Sequence, residues 1–282
     1  MAHRKLFCEY NRTFYAISLK KECSKRLLRD LFSGEHYAKD KSKENLPVIV
    51  KSHRSIILRK LNNVDMQLQK NKAINLRLSS AKVDGITIKP GETFSFWRLI
   101  GNCTKRRGYL PGLIISNSKT GSGIGGGICQ LANLIHWLVL HSPLEITEIH
   151  HHTDALFPDS GRRVPFGTGT SVCYNSLDYR FKNTTEDTYQ LRVWTDETDL
   201  CGELRCSREI PLRYRIEETD SFYSKEKDGY YRNSKVWRKE IDKATKKVIR
   251  QELILDNHSR VMYDPSLIPE DEIRSTPVKD RN

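Results

Sequence analysis

No run of about eighteen apolar residues occurs in the 282-residue chain, which excludes a transmembrane helix of ordinary length. The opening stretch, Met1 to Tyr10, has neither an apolar segment nor a small-residue cleavage site. The chain therefore reads as one without a signal peptide, and the expected location is cytoplasmic. Cys-x-x-Cys spacing is missing as well. The seven cysteines are odd in number and scattered, with Cys201 and Cys206 the only close pair. That pattern argues against a secreted disulfide framework and against a zinc site built from cysteines alone. Acidic residues are in deficit, 35 against 48 Lys and Arg, for a net charge of +13. About nine of those charges fall in the first sixty residues, in runs such as Lys20-Lys21 and Lys25-Arg26. A basic flank of this kind suits a polyanion or an anionic membrane face. It carries little aromatic interleaving and no nucleic-acid fold signature, so nucleic acid is not the expected partner.

What the chain does have is one unusual stretch, Gly121-Ser122-Gly123-Ile124-Gly125-Gly126-Gly127-Ile128-Cys129-Gln130. Glycine at this density weakens both helix and strand, so the stretch reads as a bare-backbone loop. Leu131, Leu134, Ile135 and Leu138 then recur at helical spacing, which predicts a helix with one apolar face on a core. Cys129 falls at the start of that helix. Unpaired N–H groups and the positive end of the helix dipole favour an anion there, and would make the thiol more acidic than a free one. The loop N–H groups could hold an oxyanion. The plainer alternative is a small buried cysteine beside a tight turn. A phosphate cradle lacks the Gly-Lys-Ser/Thr ending of a P-loop.

A cysteine nucleophile needs a base within hydrogen-bond reach. His136 shares the face of Cys129 but sits roughly 10 Å along the helix axis, too far for contact. His141 is further off, and both read as structural or surface histidines. His150, His151 and His152 follow an alternating stretch, Leu144 to Ile149, that predicts a strand returning beside the helix start. On such a strand His150 and His152 share one face. Candidates for a third polar group are Thr153, Asp154, Asp159 and Asp178. The alternatives are a solvated strand end, or a zinc site of Cys129, His150 and His152.

The rest of the chain predicts a helix ending near Phe32 at Ser33-Gly34 and a polar linker over 39–45. It also predicts a helix from Arg54 to Leu68 and strands through Ile74, Leu76 and Leu78, then Ile86 and Ile88. Further strands are expected around Ile114, Tyr179, Leu191, Leu212 to Ile216 and Lys247 to Leu255. The expected fold class is α+β, β-rich, with a glycine-loop and helix element and a helical N-terminal region. The expected organisation is a basic N-terminal region at 1–45, a core at 46–206 and a strand-containing extension at 207–282 packed on that core.

Several of these segments together resemble the VanW family: Ile88-Lys89-Pro90-Gly91-Glu92-Thr93-Phe94-Ser95-Phe96, Gly108-Tyr109, Gly125-Gly126-Gly127-Ile128-Cys129-Gln130, Thr147-Glu148 with His152-Thr153, Pro165-Phe166-Gly167, and Asp178 to Asn183. The resemblance covers about residues 54 to 206 and is strongest to the free-standing branch of that family. It implies a link to peptidoglycan metabolism and glycopeptide (vancomycin) resistance. Carried residue by residue, it makes Cys129 the nucleophile and His152 the histidine of the second motif. Gly125, Gly126 and Gly127 become the substrate or oxyanion loop with Gln130 beside it, and Asp178 or Thr153 the third polar group. The chain departs from the family pattern at Ile149, at Gly169 and at Ala132-Asn133.

The function these readings imply is a cysteine-dependent acyl transferase of the L,D-transpeptidase kind, acting on a peptidoglycan stem peptide or cell-wall precursor without cofactor or metal. The alternatives are a non-catalytic binding protein for such a precursor and a papain-like cysteine amidase.

Overall fold

The computed structural model describes residues 10–58, 65–116, 119–151, 154–158 and 163–274. Asn11 starts the first helix by accepting the Phe14 N–H at 2.9 Å, and α1 (Arg12–Phe32) runs from there to Ser33. β1 (His36–Tyr37), β2 (Val48–Ile56), α2 (Met66–Val83), β3 (Thr87–Ile88), β4 (Glu92–Ser95) and the single-turn α3 (Phe96–Ile100) follow. A hairpin of β5 (Pro111–Ser116) and β6 (Lys119–Ile124) leads into α4 (Cys129–Val139). Next come β7 (Glu145–Glu148), β8 (Asp154–Ala155), β9 (Arg180–Lys182), β10 (Tyr189–Thr195) and β11 (Asp199–Cys206). The chain finishes with β12 (Leu212–Glu226), β13 (Gly229–Asp242), β14 (Val248–Val261) and β15 (Ile273–Arg274).

These strands form three sheets besides the hairpin, in the orders β1-β4-β9-β7, β2-β11-β10-β3 and β15-β12-β13-β14-β8. The fold is therefore α+β and strand-rich, as expected. α4 is its centre. Leu131, Leu134, Ile135 and Leu138 are all buried, and each such side chain contributes about 1.5–3 kcal/mol by leaving water. Gly202 in β11 lets the helix approach closely: a Cβ there would meet Leu134 Cδ2 at 2.9 Å and Leu138 Cδ1 at 3.0 Å. The far end of α4 is held by β13, where the Arg238 guanidinium donates to the carbonyls of Leu140 (3.0 Å) and Ser142. A cation there complements the negative end of the helix.

Two expectations fail between residues 54 and 83. Arg54 to Ile56 belong to β2, and the stretch through Ile74, Leu76 and Leu78 is α2, not strand. The buried face of α2 explains the error, because it is largely polar: Gln69, Lys72, Asn75, Ser79 and Ser80 are buried alongside Leu76 and Val83. A hydrophobic periodicity cannot report a face made of amides and hydroxyls. Gly121 and Gly123 also differ from expectation, since they lie within β6, paired to Ile114 and Gly112 of β5. The bare loop is confined to 125–128.

Candidate functional site

Cys129 is the first residue of α4, and no side chain caps that helix start. Its environment is deep in the fold although some of its surface stays exposed. Burial, the largest influence, raises the thiol pKa, and backbone hydrogen bonds from Val172 and Cys129 itself oppose this only in part. The result is opposite to the acidic thiol expected from the helix dipole. The thiol lies 3.9 Å from the Val172 carbonyl, to which it donates. Among the described residues no histidine, lysine or carboxylate hydrogen-bonds it.

The glycines beside it are committed to packing. Gly125 and Gly127 have φ of 76° and 89°, which a side chain would make costly. A Cβ at Gly126 would overlap the Gly112 backbone, and one at Gly127 would overlap the aliphatic stem of Lys72. The N–H of Gly125 donates to Leu110 O and that of Gly126 to Gly123 O, both at 3.0 Å. Two of the loop's N–H groups are therefore already spent. Asn75, buried on α2, clamps the turn: its amide donates to Leu110 O and Gly126 O at 3.0 Å each and accepts the Leu110 N–H at 2.9 Å. Sequence reading missed Asn75, because nothing local marks a buried amide that reaches fifty-one residues down the chain.

Gln130 is engaged with β2. Its amide donates to the Ser55 hydroxyl and the Ile56 carbonyl, both at 2.9 Å, tying α4 to β2. Asp178 is committed elsewhere too. It accepts from Ser95 Oγ (2.6 Å), from the N–H groups of Trp97 (3.0 Å) and Tyr179 (2.9 Å), and from Arg180 Nε (2.7 Å). It belongs to an ion-pair cluster in which Arg26 meets Glu148 and Arg180 meets Asp30 at 2.7 Å. Burial works against the Glu148 carboxylate, but hydrogen bonds from Arg26 and His150 bring its pKa below the usual value. This cluster docks α1 on the sheet, and it occupies every oxygen of Asp178 that a catalytic histidine would need.

His152 and Thr153 lie outside the described residues, as does Asp159. Their two histidine neighbours sit beyond the end of β7, not on a strand. His150 Nε2 is 3.0 Å from Glu148 Oε1. His151 Nδ1 is 3.2 Å from the carbonyls of both Gly167 and Gly169, so it carries a proton and donates to them. Asn133 Oδ1 accepts the Thr170 N–H at 2.7 Å, and a Cβ at Gly169 would lie 3.4 Å from the Asn133 amide. Two of the three departures from the family pattern are thus neighbours on the face of α4 that also carries Cys129. His136, on that same face, is buried with Nδ1 3.2 Å from the Tyr179 hydroxyl, and burial lowers its pKa to about 3. It is structural, as expected. Among the described residues no group of three or more His, Cys, Asp or Glu side chains could hold a metal ion.

The family profile described as "VanW like protein" matches residues 71–205. The vancomycin B-type resistance protein VanW of Enterococcus faecalis is 32% identical over 232 residues, covering 82% of this chain and 84% of that protein. The uncharacterized protein YoaR of Bacillus subtilis is 32% identical over 114 residues, which is 40% of this chain and 36% of that one. No solved structure matches.

Proposed function

The chain belongs to the VanW-like family, and from that premise we propose that it serves glycopeptide resistance as a binding protein for an anionic cell-wall precursor. One observation carries the non-catalytic reading: the Cys129 thiol is held neutral by burial, hydrogen-bonded to Val172, with no base against it among the described residues. What the helix start offers instead is the positive end of the α4 dipole with no side chain capping it, which suits the carboxylate of a stem peptide. The test is calorimetric titration with a synthetic peptidoglycan stem peptide. Cys129→Ala should bind it within about twofold of the parent, and should support resistance equally well in cells. Loss of binding or of resistance in Cys129→Ala would count against this reading.

The second reading is the acyl transferase. Cys129 attacks a peptide carbonyl, the leaving amine takes a proton from the histidine, and the thioester passes to an amine, or to water in the papain-like variant. His152 is its base. The exposed part of Cys129 and the backbone hydrogen bonds to its sulfur favour it. Mass spectrometry separates the two readings, since a thioester adduct or a new amide product formed by the parent and not by Cys129→Ala belongs to the transferase alone.

An anionic membrane surface fits the N-terminal helix. α1 turns its charged Arg26 and Asp30 toward the protein, and leaves Leu31 74% and Phe32 81% exposed, with Leu27 and Leu28 beside them. Lys20, Lys21 and Lys25 are exposed on the same helix. Apolar residues with flanking lysines are what an interfacial helix needs. Among the described residues no helix is long and apolar enough to cross a membrane. Phosphatidylglycerol vesicles should sediment with the parent and much less with Leu31→Ser/Phe32→Ser, while phosphatidylcholine vesicles should bind neither. Equal sedimentation of parent and variant would remove α1 from the proposal.

A further inference from the structure

At the opposite end of α4 from Cys129, a cavity of about 330 Å³ opens between the core and the C-terminal strands. Its wall is built from β2, the last turn of α4 and the start of β12. Lys51 and Arg213 both line it, close enough that the Arg213 charge acts on Lys51, and none of the lining residues is acidic. Two other cations reach its rim, but both are already paired: Arg215 with Glu217 at 2.9 Å and Lys243 with Glu209 at 3.4 Å. Lys51 and Arg213 have no carboxylate within ion-pair distance among the described residues.

That arrangement costs stability. Burial lowers the Lys51 pKa, and the Arg213 charge lowers it further. The Lys51 ammonium lies over the Trp137 ring, 5.7 Å from its centroid. His141 adds no charge: its Nδ1 is 2.8 Å from the Trp137 carbonyl, and burial brings its pKa to about 4. The proton therefore sits on Nδ1, and Nε2 is left as an acceptor. Val50 and Leu212 supply apolar wall between the cations and the indole. Arg213 is exposed and Lys51 half-buried, so the cost falls on the Lys51 ammonium, and an anion reaching both cations would offset it.

We infer that this cavity is a binding site for a small phosphoryl-bearing molecule, with the anionic group between Lys51 and Arg213 and an apolar body against Trp137, Val50 and Leu212. The cavity lies at the small end of the usual range for ligand sites, about 300–1,000 Å³, which fits a single phosphoryl group on a compact body. A hydroxyl on the ligand would find its acceptor in His141 Nε2. The site shares no residue with the Cys129 loop, so it stands or falls independently of what that loop does.

Calorimetric titration of the full chain with phenyl phosphate, at pH 7.5 and constant ionic strength, tests it. Saturable one-to-one binding is expected, weakened about tenfold or more by Lys51→Met and by Arg213→Gln. Lys70→Gln/Arg77→Gln, exposed on α2 away from the cavity, should change it less than twofold. Thermal melting guards against misfolding: Lys51→Met should melt at or above the parent temperature without ligand, and should lose the ligand-induced rise. Competition by phosphatidylglycerol vesicles that persists in Leu31→Ser/Phe32→Ser would place the phosphoryl group on a lipid, and absence of competition there on a soluble molecule. Failure to saturate, or equal weakening in the Lys70/Arg77 variant, would overturn the site.

Discussion

The two ends of α4 are built on opposite principles. At the Cys129 end almost every group has a partner: Gly126 lies against Gly112, Asn75 clamps the turn, Gln130 holds β2, and the thiol is buried and neutral. At the other end Lys51 and Arg213 line a cavity and have no carboxylate partner among the described residues. The end that carries the sequence motif is the one where the loop glycines and Gln130 are held by packing and hydrogen bonds. The end without a motif is where electrostatic cost has been left standing. A recognisable glycine-cysteine signature therefore marks a packing solution at least as strongly as a reactive site.

The comparison breaks first at Gly126. Gly126→Ala forces a Cβ into the Gly112 backbone, which cannot swing aside as a side chain would, so a loss of about 4 kcal/mol or failure to fold is expected. Denaturant unfolding measures it, and a loss under 1 kcal/mol would show the loop is looser than described.

Next is acid sensitivity at His136, midway between the two ends. The unfolded histidine takes a proton near pH 6.5 and the folded one only near pH 3. Stability from this group is full above pH 6.5 and falls through the window from 6.5 to 3, by on the order of 4 kcal/mol. His141, at the cavity end with a folded pKa of about 4, adds to the fall over a narrower window. Unfolding curves for His136→Gln should lose much of this dependence between pH 6 and 4, and an unchanged slope would contradict the assignment.

Asn75→Ala comes third, at about 2–3 kcal/mol, because it leaves the Leu110 N–H and the Gly126 carbonyl without their side-chain partner. Hydrogen exchange at Leu110 should accelerate with it. The smallest effect has the opposite sign: Lys51→Met should gain up to about 1 kcal/mol by removing an uncompensated charge. A destabilised Lys51→Met would erase the contrast between the two ends.

How much of this could be read from the residues alone follows from the same contrast. α4 was legible because its apolar stripe is local and regular, and so was the placement of Cys129 at its start. α2 was not, because its buried face is Gln69, Lys72, Asn75 and Ser79, side chains that belong in a core only once Leu110 and Gly126 come to meet them. β13 was missed for a related reason: its strand is dense in charge, and its neighbours β12 and β14 supply the ion pairs, as in Lys239 with Glu217. At the candidate site the adjacency of glycines and cysteine is written locally. The engagement of Asp178 by Ser95, Trp97 and Arg180 depends on contacts about eighty residues apart for the first two, and no local pattern encodes it.

The most direct measurement is the pH dependence of iodoacetamide modification at Cys129 in the folded protein, read by peptide mass spectrometry. The account expects slow modification, with a midpoint above the free-thiol value of about 8.5 because burial raises the thiol pKa. A midpoint well below that value, moving upward in His152→Ala, would contradict it and make the thiol a base-activated nucleophile.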